Sequence, residues 1–280
     1  MHIFWYSLMG ILQGLTEFLP VSSSGHLSAA RNLISRWAPG GTESILHAPP
    51  LLMEVCLHAG TLAAIVVIYR NDIMDLLKGF FRAACATVSG SGLETWRTDS
   101  GARMALVVVA GSVPTAVIAL AIEPAAINIS ESLMLLGITY LVLTVLLFST
   151  RWLEGGDSDA GLKTALLIGV AQGISVIPGI SRSGFTIAAG LFFRLRRDEA
   201  ARVSFLMSIP AVAGAAVLKA VEFSGEIGGS VLGGYLAGAA VAFVTGCAAL
   251  KVLVKMVQKG RLWWFAPYTA VVGFVLVILS

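Results

Sequence analysis

Four long uncharged stretches restrict what this chain can fold into. They cover 104–122, 132–150, 227–250 and 262–280. A helix needs about 20 apolar residues to cross the hydrocarbon core of a bilayer, and each stretch is near that length. Charged residues make up only 12% of the chain, against about 25% in soluble domains. The sequence therefore predicts an all-α integral membrane protein.

Two shorter apolar stretches, 55–69 and 203–218, bring the prediction to six transmembrane helices. Basic residues set their direction, because 15 of the 19 Lys and Arg residues lie in the intervals 70–103, 151–163, 194–202 and 251–261. The positive-inside rule places these intervals in the cytoplasm. The loops expected on the opposite side are 27–49, 124–131 and 222–227. The N-terminus lacks the basic start and cleavage site of a secretory signal and is expected to be retained, and no separate soluble domain is expected.

An unusual polar stretch occurs twice. Residues 13–27 read QGLTEFLPVSSSGHL and residues 172–186 read QGISVIPGISRSGFT, an offset of 159 residues. With the basic loops fixed, segments 1–26 and 164–193 must each begin and end on the same side of the membrane. Both are therefore predicted to be re-entrant helix–break–helix hairpins. The halves 1–150 and 164–280 would then form an inverted repeat whose breaks face each other around a polar chamber.

The breaks carry residues that are costly within a membrane. Gln13 and Glu17 lie four residues apart and share one helix face. A carboxylate or guanidinium at bilayer depth usually marks a functional site, although Glu17 could also cap the break or pair with Arg182. Glycines, hydroxyls and two helix N-termini around one point suit an anion, and Arg182 adds a planar fork that matches phosphate. The residues expected to bind the anion are Ser22, Ser24, Gly25, Gly179, Ser181, Ser183, Gly184 and Thr186.

Anion binding alone fits a carrier as well as an enzyme, because broken helices also hold anionic substrates in transporters. Glu17, Ser23 and His26 favour an enzyme, since a carboxylate, a hydroxyl and a proton carrier in one hairpin resemble a catalytic set. An alternating-access carrier or flippase for an anionic prenyl lipid is the alternative.

The two motifs QGLTEFLPVSSSGH and PGISRSGFT resemble the signatures of the undecaprenyl pyrophosphate phosphatase family, membrane enzymes associated with bacitracin resistance. The resemblance extends over essentially the whole chain, including LMEVCLHAGTLAAIVVIY after the first motif. It implies hydrolysis of undecaprenyl pyrophosphate to the monophosphate and inorganic phosphate, at the outer face of the bacterial plasma membrane. This reaction recycles the lipid carrier for peptidoglycan synthesis. The essential residues that it implies are Glu17, Ser23, His26, Ser181, Arg182 and Thr186.

The resemblance also implies a divalent cation, expected to be Mg²⁺ or Ca²⁺. Glu17 would bind it with Gln13 as a neutral ligand. The family's first motif begins with Glu or Gln, and this chain has Gln13 there. A mechanism that needs two acidic metal ligands from this helix is therefore in doubt. Arg182 would hold the terminal phosphate, Ser23 is the preferred nucleophile and His26 the proton carrier. Attack by water or by His26 remains open.

Other polar residues have structural interpretations. Glu54 and His58 could look like metal ligands, but are expected to satisfy polar groups of the first hairpin. The basic run 194–202 is interpreted as an orientation signal that contacts lipid headgroups, and no nucleic-acid site is expected. Membrane lipids are the expected surroundings, and the glycine-rich segment 227–238 is a candidate packing face for a homodimer.

Overall fold

The computed structural model describes residues 2–37, 50–89, 91–222 and 229–280. Its helices in the first half of the chain are α1 His2–Phe18, α2 Ser23–Trp37, α3 Pro50–Ile68, α4 Arg70–Val88, α5 Gly92–Thr98, α6 Ser100–Glu131 and α7 Leu133–Ser149. Those in the second half are α8 Leu162–Ile174, α9 Arg182–Phe192, α10 Arg197–Glu222, α11 Gly229–Gln258 and α12 Ala266–Ile278. Short 3₁₀ turns at Thr150–Trp152 and Leu262–Phe265 follow α7 and precede α12.

Four of these helices contain segments long and apolar enough to cross a membrane, namely Ser100–Glu131, Leu133–Trp152, Arg197–Lys219 and Leu232–Gln258. A fifth candidate is the pair Leu52–Ile68 and Arg70–Val88, which bends by 79° between its two helices. The apolar segment Leu262–Ile278 is shorter. The chain is therefore an all-helical, multi-pass membrane protein, and the count of six spans stays a prediction.

Two of the predicted external loops are helical in the residues that the structure describes. Helix α2 continues to Trp37 through the first part of the predicted loop 27–49, because SAARNLISRW contains no helix breaker. Helix α6 continues to Glu131 through the predicted loop 124–131, and Ser132 then caps α7 by accepting a hydrogen bond from the Leu135 amide. Pro114 and Pro124 both lie inside α6, as neighbouring groups in membrane helices allow. The remaining part of loop 27–49, residues 38–49, and residues 223–228 lie outside the described residues.

Glycines bring the helices that precede the two breaks against their neighbours. A Cβ atom at Gly10 or Gly14 of α1 would collide with backbone atoms of α11, and one at Gly169 of α8 would collide with the backbone of α6. In the described part of the candidate dimer segment 227–238, Gly234 lies against the Tyr6 ring of α1. This part of the candidate dimer face is thus covered by the chain's own first helix.

The main hydrophobic core surrounds the end of α1 in the first hairpin and part of α9 in the second. Phe18, at the end of α1, is fully buried and packs edge-on against Phe205 of α10 at 5.9 Å between ring centroids. Leu147 of α7 and Ile187 of α9 belong to the same buried cluster. The core therefore holds the ends of the two hairpins at fixed positions relative to each other.

Candidate active site

The two breaks in the helices contact each other directly. The first lies between Phe18 and Ser23 and the second between Ile174 and Arg182. The Gly179 amide donates to Ser22 Oγ at 3.1 Å, and Ser183 Oγ donates to the Phe18 carbonyl at 2.6 Å. Residues 157 or more positions apart in the chain thus form one polar centre.

Both breaks contain left-handed backbone. Gly179 has φ of +90° and Ser22 has φ of +65°. Glycine adopts this region without steric cost, whereas a serine there is uncommon and is held by its surroundings. A Cβ atom at position 179 would also collide with Thr139 Oγ1 of α7. The second break therefore depends on glycine for both its backbone angle and its close contact.

We expect Gly179→Ala to destabilise the protein by about 1–3 kcal/mol, because the strained backbone and the collision with Thr139 act together. Thermal unfolding in detergent should show a lower midpoint. Gly233→Ala is the matched control, since a Cβ atom at that helical position of α11 meets no atom within 4 Å. Equal midpoints for the two variants would contradict the proposed constraint.

Serine side chains cap the helices that restart after the breaks. Ser22 Oγ accepts a hydrogen bond from the Gly25 amide at 3.2 Å, and Ser181 Oγ accepts one from the Gly184 amide at 3.2 Å. Such caps satisfy the unpaired amides at a helix N-terminus. Because the serines use these two amides, the N-termini offer an anion fewer donors than the sequence predicted.

Glu17 is the centre of the polar network. Its Oε1 accepts a hydrogen bond from Arg182 Nη2 at 2.5 Å, and its Oε2 accepts bonds from Ser23 Oγ at 2.9 Å and Gln13 Nε2 at 3.0 Å. The Nε2 atom of His58 lies 3.8 Å from the same Oε2. The carboxylate therefore joins the serine of the first break to the arginine of the second.

A cavity of about 550 Å³ opens beside this network. Its lining includes Glu17, Ser23 and Arg182 together with apolar residues of α6 and α10, such as Ala119 and Leu218. The lining therefore combines hydroxyls and charged groups with many hydrocarbon side chains. This combination suits an amphipathic ligand with an anionic head and an apolar tail.

Arg182 has one buried donor without a partner among the described residues. Its Nη2 atom bonds Glu17, whereas its Nη1 atom is buried and has no hydrogen-bond partner among the described residues. A buried donor without a partner costs free energy of about 1–3 kcal/mol. An oxygen of an anion in the cavity would satisfy it.

His26 does not belong to the cavity lining. Its Nε2 lies 2.6 Å from the Tyr268 hydroxyl, and its Nδ1 lies 2.8 Å from the Tyr140 hydroxyl and 2.7 Å from the Ser22 carbonyl. The ring stacks on Tyr268 at 5.8 Å between centroids. The structure thus places His26 between α7 and α12, and the group that bonds Ser23 is Glu17.

The other residues predicted to bind the anion divide into two groups. Ser22, Ser24 and Ser181 line the cavity. The remaining five, which the cavity lining does not include, are Gly25, Gly179, Ser183, Gly184 and Thr186. They act in packing: Thr186 Oγ1 donates to the Arg182 carbonyl at 2.7 Å and contacts Ser204 Oγ at 2.5 Å, and a Cβ atom at Gly25 would lie 2.6 Å from the Tyr140 hydroxyl. These contacts join the breaks to each other and to neighbouring helices.

Comparison with known proteins gives the family. The sequence matches the family model described as bacitracin resistance protein BacA over residues 6–275. The chain belongs to this family. A relative from Desulfatibacillum aliphaticivorans, named undecaprenyl-diphosphatase, is 41% identical over 100% of this chain and 99% of its own. Proteins of the same name from Desulfosudis oleivorans and Korarchaeum cryptofilum are 44% and 35% identical, over 95% and 97% of this chain and 94% and 97% of theirs.

The donor set of this BacA-family protein fits a divalent cation only in part. An ionised carboxylate has about four lone-pair sites, and Glu17 uses three of them for Arg182, Gln13 and Ser23. The remaining site can serve a hard cation that takes its other ligands from phosphate and water, as Mg²⁺ commonly does. Gln13 donates its amide N–H to Glu17. The predicted role of Gln13 as a neutral ligand would instead require its amide oxygen to face the cation.

Sequence reasoning missed a second charged group on the cavity wall. Glu54 of α3 bonds Arg31 of α2 and Lys219 of α10, and all three residues line the cavity. Glu54 was predicted to bond polar groups of the first hairpin. This prediction was wrong, because both residues that bond Glu54 lie outside segment 1–26. His58 does lie against that hairpin, 3.5 Å from Gln13 Nε2. The sequence did contain a signal for this cluster, because Glu54 and Lys219 are isolated charged residues at the ends of the apolar stretches 55–69 and 203–218.

Proposed function

We propose that this protein hydrolyses undecaprenyl diphosphate, the same compound as undecaprenyl pyrophosphate, to undecaprenyl phosphate and inorganic phosphate. The reaction recycles the lipid carrier of peptidoglycan synthesis and confers bacitracin resistance. Membership of the BacA family and full-length relatives named undecaprenyl-diphosphatase support this activity. The cavity beside the breaks has the mixed polar and apolar wall that a prenyl diphosphate requires.

One structural observation carries the proposal. A hydroxyl, a carboxylate and a guanidinium from two distant segments form a continuous chain from Ser23 through Glu17 to Arg182 at the cavity wall. An anion carrier needs the guanidinium but has no evident need for a serine bonded to a carboxylate. This set matches a nucleophile, its base and an electrostatic clamp.

In the proposed reaction, Ser23 Oγ attacks the terminal phosphorus. Its proton passes to Glu17 Oε2, which already accepts the hydrogen bond from Ser23. The bond between that phosphorus and the bridging oxygen breaks, and undecaprenyl phosphate leaves with the bond's electron pair. Glu17 gives this proton to the departing undecaprenyl phosphate. Water then attacks the phosphoserine, Glu17 accepts the water's proton and passes it to Ser23 Oγ as the bond between that oxygen and phosphorus breaks, and inorganic phosphate is released. Geometry therefore favours Glu17 over His26 as the base, because Glu17 contacts the attacking oxygen.

Arg182 supplies charge where the reaction needs it. The transferred phosphoryl group spreads negative charge over its equatorial oxygens, and enzymes stabilise this charge with oriented donors. The buried Nη1 atom of Arg182 gives such a donor, while Glu17 fixes the plane of the guanidinium through Nη2. Ser181 and Ser24 line the same cavity and can donate further hydrogen bonds to phosphate.

A divalent cation belongs to this proposal, with Glu17 as its protein ligand. When bound, it would neutralise phosphate charge and so assist the phosphoryl transfer. The assay that tests the function measures phosphate release from undecaprenyl diphosphate by purified protein in detergent, with and without chelator. We expect release that chelator abolishes and added Mg²⁺ or Ca²⁺ restores. No release with either cation, together with lipid translocation in vesicles, would favour the carrier.

We also propose that the halves 1–150 and 164–280 form an inverted repeat of two re-entrant hairpins and six spans. The packing supports this proposal, since α1 packs on α11 and its counterpart α8 packs on α6. The glycines at these contacts, Gly10 and Gly169, are 159 residues apart, the same offset as the motifs. The site is proposed to open to the periplasmic face of the inner membrane, where the diphosphate product of cell-wall synthesis is released.

His26 is proposed to position the start of α2, which carries Ser23. We expect Tyr268→Phe to lower turnover modestly, by about threefold to tenfold, because it removes one of the hydrogen bonds that hold the ring. His26→Ala should lower it further, and His26→Asn, which keeps a polar group near Ser22, should recover part of the loss. If Tyr268→Phe changed nothing while His26→Ala abolished turnover, the imidazole would have a direct chemical role.

A further inference from the structure

A cluster of three charged residues, Arg31, Glu54 and Lys219, lies on the cavity wall and is not used by the mechanism above. Arg31 Nη2 lies 2.6 Å from Glu54 Oε1, and Lys219 Nζ lies 2.7 Å from Glu54 Oε2. The three residues come from α2, α3 and α10, so the cluster joins three helices around the cavity. We refer to it as the Glu54 cluster.

The Glu54 cluster holds the surplus positive charge of the cavity. Glu17 and Arg182 form an ion pair at 2.5 Å and cancel each other formally. The Glu54 cluster contains two cations and one carboxylate, which leaves a formal charge of +1. The described lining contains no Asp, Glu, Lys or Arg residue beyond these two groups. An anionic headgroup in the cavity is therefore attracted to the Glu54 cluster as well as to Arg182.

The arrangement of the Glu54 cluster leaves its cations accessible. The side chains of Arg31 and Lys219 are 48% and 41% exposed, whereas that of Glu54 is 16% exposed. Arginine has five N–H donors and lysine three, and each uses one in its hydrogen bond to Glu54. Arg31 and Lys219 bond the two oxygens of one carboxylate, so both cations lie beside the same group on the cavity wall.

We propose that the Glu54 cluster is a second phosphate-binding subsite of the cavity. It binds a phosphate group through Arg31 and Lys219, and Glu54 spaces the two cations and limits their affinity. The ligand is either the headgroup of the lipid diphosphate or free inorganic phosphate. The subsite rests on the proposed hydrolysis for its ligand class, while its charge and placement come from the described residues.

The test uses the opposite signs expected for two substitutions. Glu54→Gln removes the competing carboxylate and raises the formal charge of the subsite, so phosphate affinity should increase about threefold to fivefold. Lys219→Met replaces a cation with an uncharged side chain of similar length. It should weaken phosphate affinity by a similar factor, since partly exposed charge pairs have modest energies. If the three residues served only to join helices, both substitutions would lower thermal stability without opposite shifts in affinity.

Two constants are measured for each variant, with substrate labelled on its terminal phosphate so that added phosphate does not obscure the signal. KM for the lipid diphosphate reports headgroup binding, and the inhibition constant of unlabelled inorganic phosphate reports free phosphate. Opposite shifts in KM alone assign the subsite to the headgroup, and opposite shifts in the inhibition constant assign it to free phosphate. Lys251→Met is the control, because exposed Lys251 lies on α11 and outside the cavity lining.

The binding of pyrophosphate to the same purified variants, measured by calorimetry, keeps the test independent of turnover. If the parent protein released no phosphate from the lipid, the proposed function would be contradicted, and opposite shifts of pyrophosphate affinity in Glu54→Gln and Lys219→Met would still support the subsite. Glu54→Gln and Lys219→Met shifts of the same sign, or unchanged constants in folded variants, would overturn the subsite. Should either variant fail to fold, Arg31→Gln provides the second cation deletion with the same expected weakening.

Discussion

Ser23→Ala is expected to reduce phosphate release from undecaprenyl diphosphate by a factor on the order of 100 or more. The variant lacks the oxygen that bonds Glu17 at 2.9 Å and that would attack the terminal phosphorus. Substrate binding should change much less, because Arg182 and the apolar wall of the cavity remain. The measurements are turnover and lipid diphosphate affinity on one preparation of purified protein.

Ser28→Ala is the control for this substitution, since Ser28 lies on the same helix and also lines the cavity. It should retain parental turnover, and both variants should unfold at temperatures close to that of the parent. If Ser23→Ala kept more than about a tenth of parental turnover, the serine would not be the nucleophile. Direct attack by water activated by Glu17 would then replace the phosphoserine step.

Arg182→Lys is expected to lose most of the activity, by about 10-fold to 100-fold, although the positive charge is kept. The guanidinium bonds Glu17 through Nη2, and its buried Nη1 has no partner among the described residues, so one plane holds the Glu17 contact and the donor proposed for phosphate. An ammonium group is a compact point donor without this fixed fork. The ion pair with Glu17 should survive in part, and the loss should be mainly in kcat.

The matching control is Arg196→Lys, because Arg196 forms an exposed ion pair with Asp159 at 2.7 Å. Exposed pairs contribute little to stability, and we expect parental turnover and thermal stability in this variant. An Arg182→Lys protein with parental kcat would show that position 182 supplies only positive potential. The oriented clamp would then have to be abandoned.

Much of the site could be predicted from the sequence because its residues carry a cost within a membrane. Glu17 and Arg182 interrupt apolar stretches, and the two motifs repeat at one offset. These facts predicted two breaks that face each other, and the contact between Ser22 and Gly179 agrees with that prediction. The contribution of glycine to the break was also visible, since a polar turn at membrane depth needs residues that accept unusual backbone angles.

Residues whose role depends on distant partners were harder to predict. The assignment of His26 to proton transfer stays a prediction, but its place in the hairpin did not reveal the direction of the ring, which Tyr140 and Tyr268 contact from other helices. Arg31 of α2 and Lys219 of α10 meet at the cavity through their contacts with Glu54 of α3. Spacing along one helix gives no information about such contacts.

The predicted loop boundaries were wrong for a local reason. The segments 27–37 and 124–131 have few basic residues and were assigned to external loops, yet both are helical. Charge distribution reports the side of the membrane and does not report where a helix ends. Helix α6 contains Pro124 and ends at Glu131, one residue before the cap of α7.

The most direct test of the central claim is an experimental structure of the Ser23→Ala protein with undecaprenyl diphosphate bound. The account predicts the terminal phosphate within hydrogen-bond distance of Arg182 Nη1 and next to position 23, with the prenyl chain along the apolar wall formed by α6 and α10. A headgroup bound away from Glu17 and Arg182, for example beside His26 and Tyr268, would contradict it.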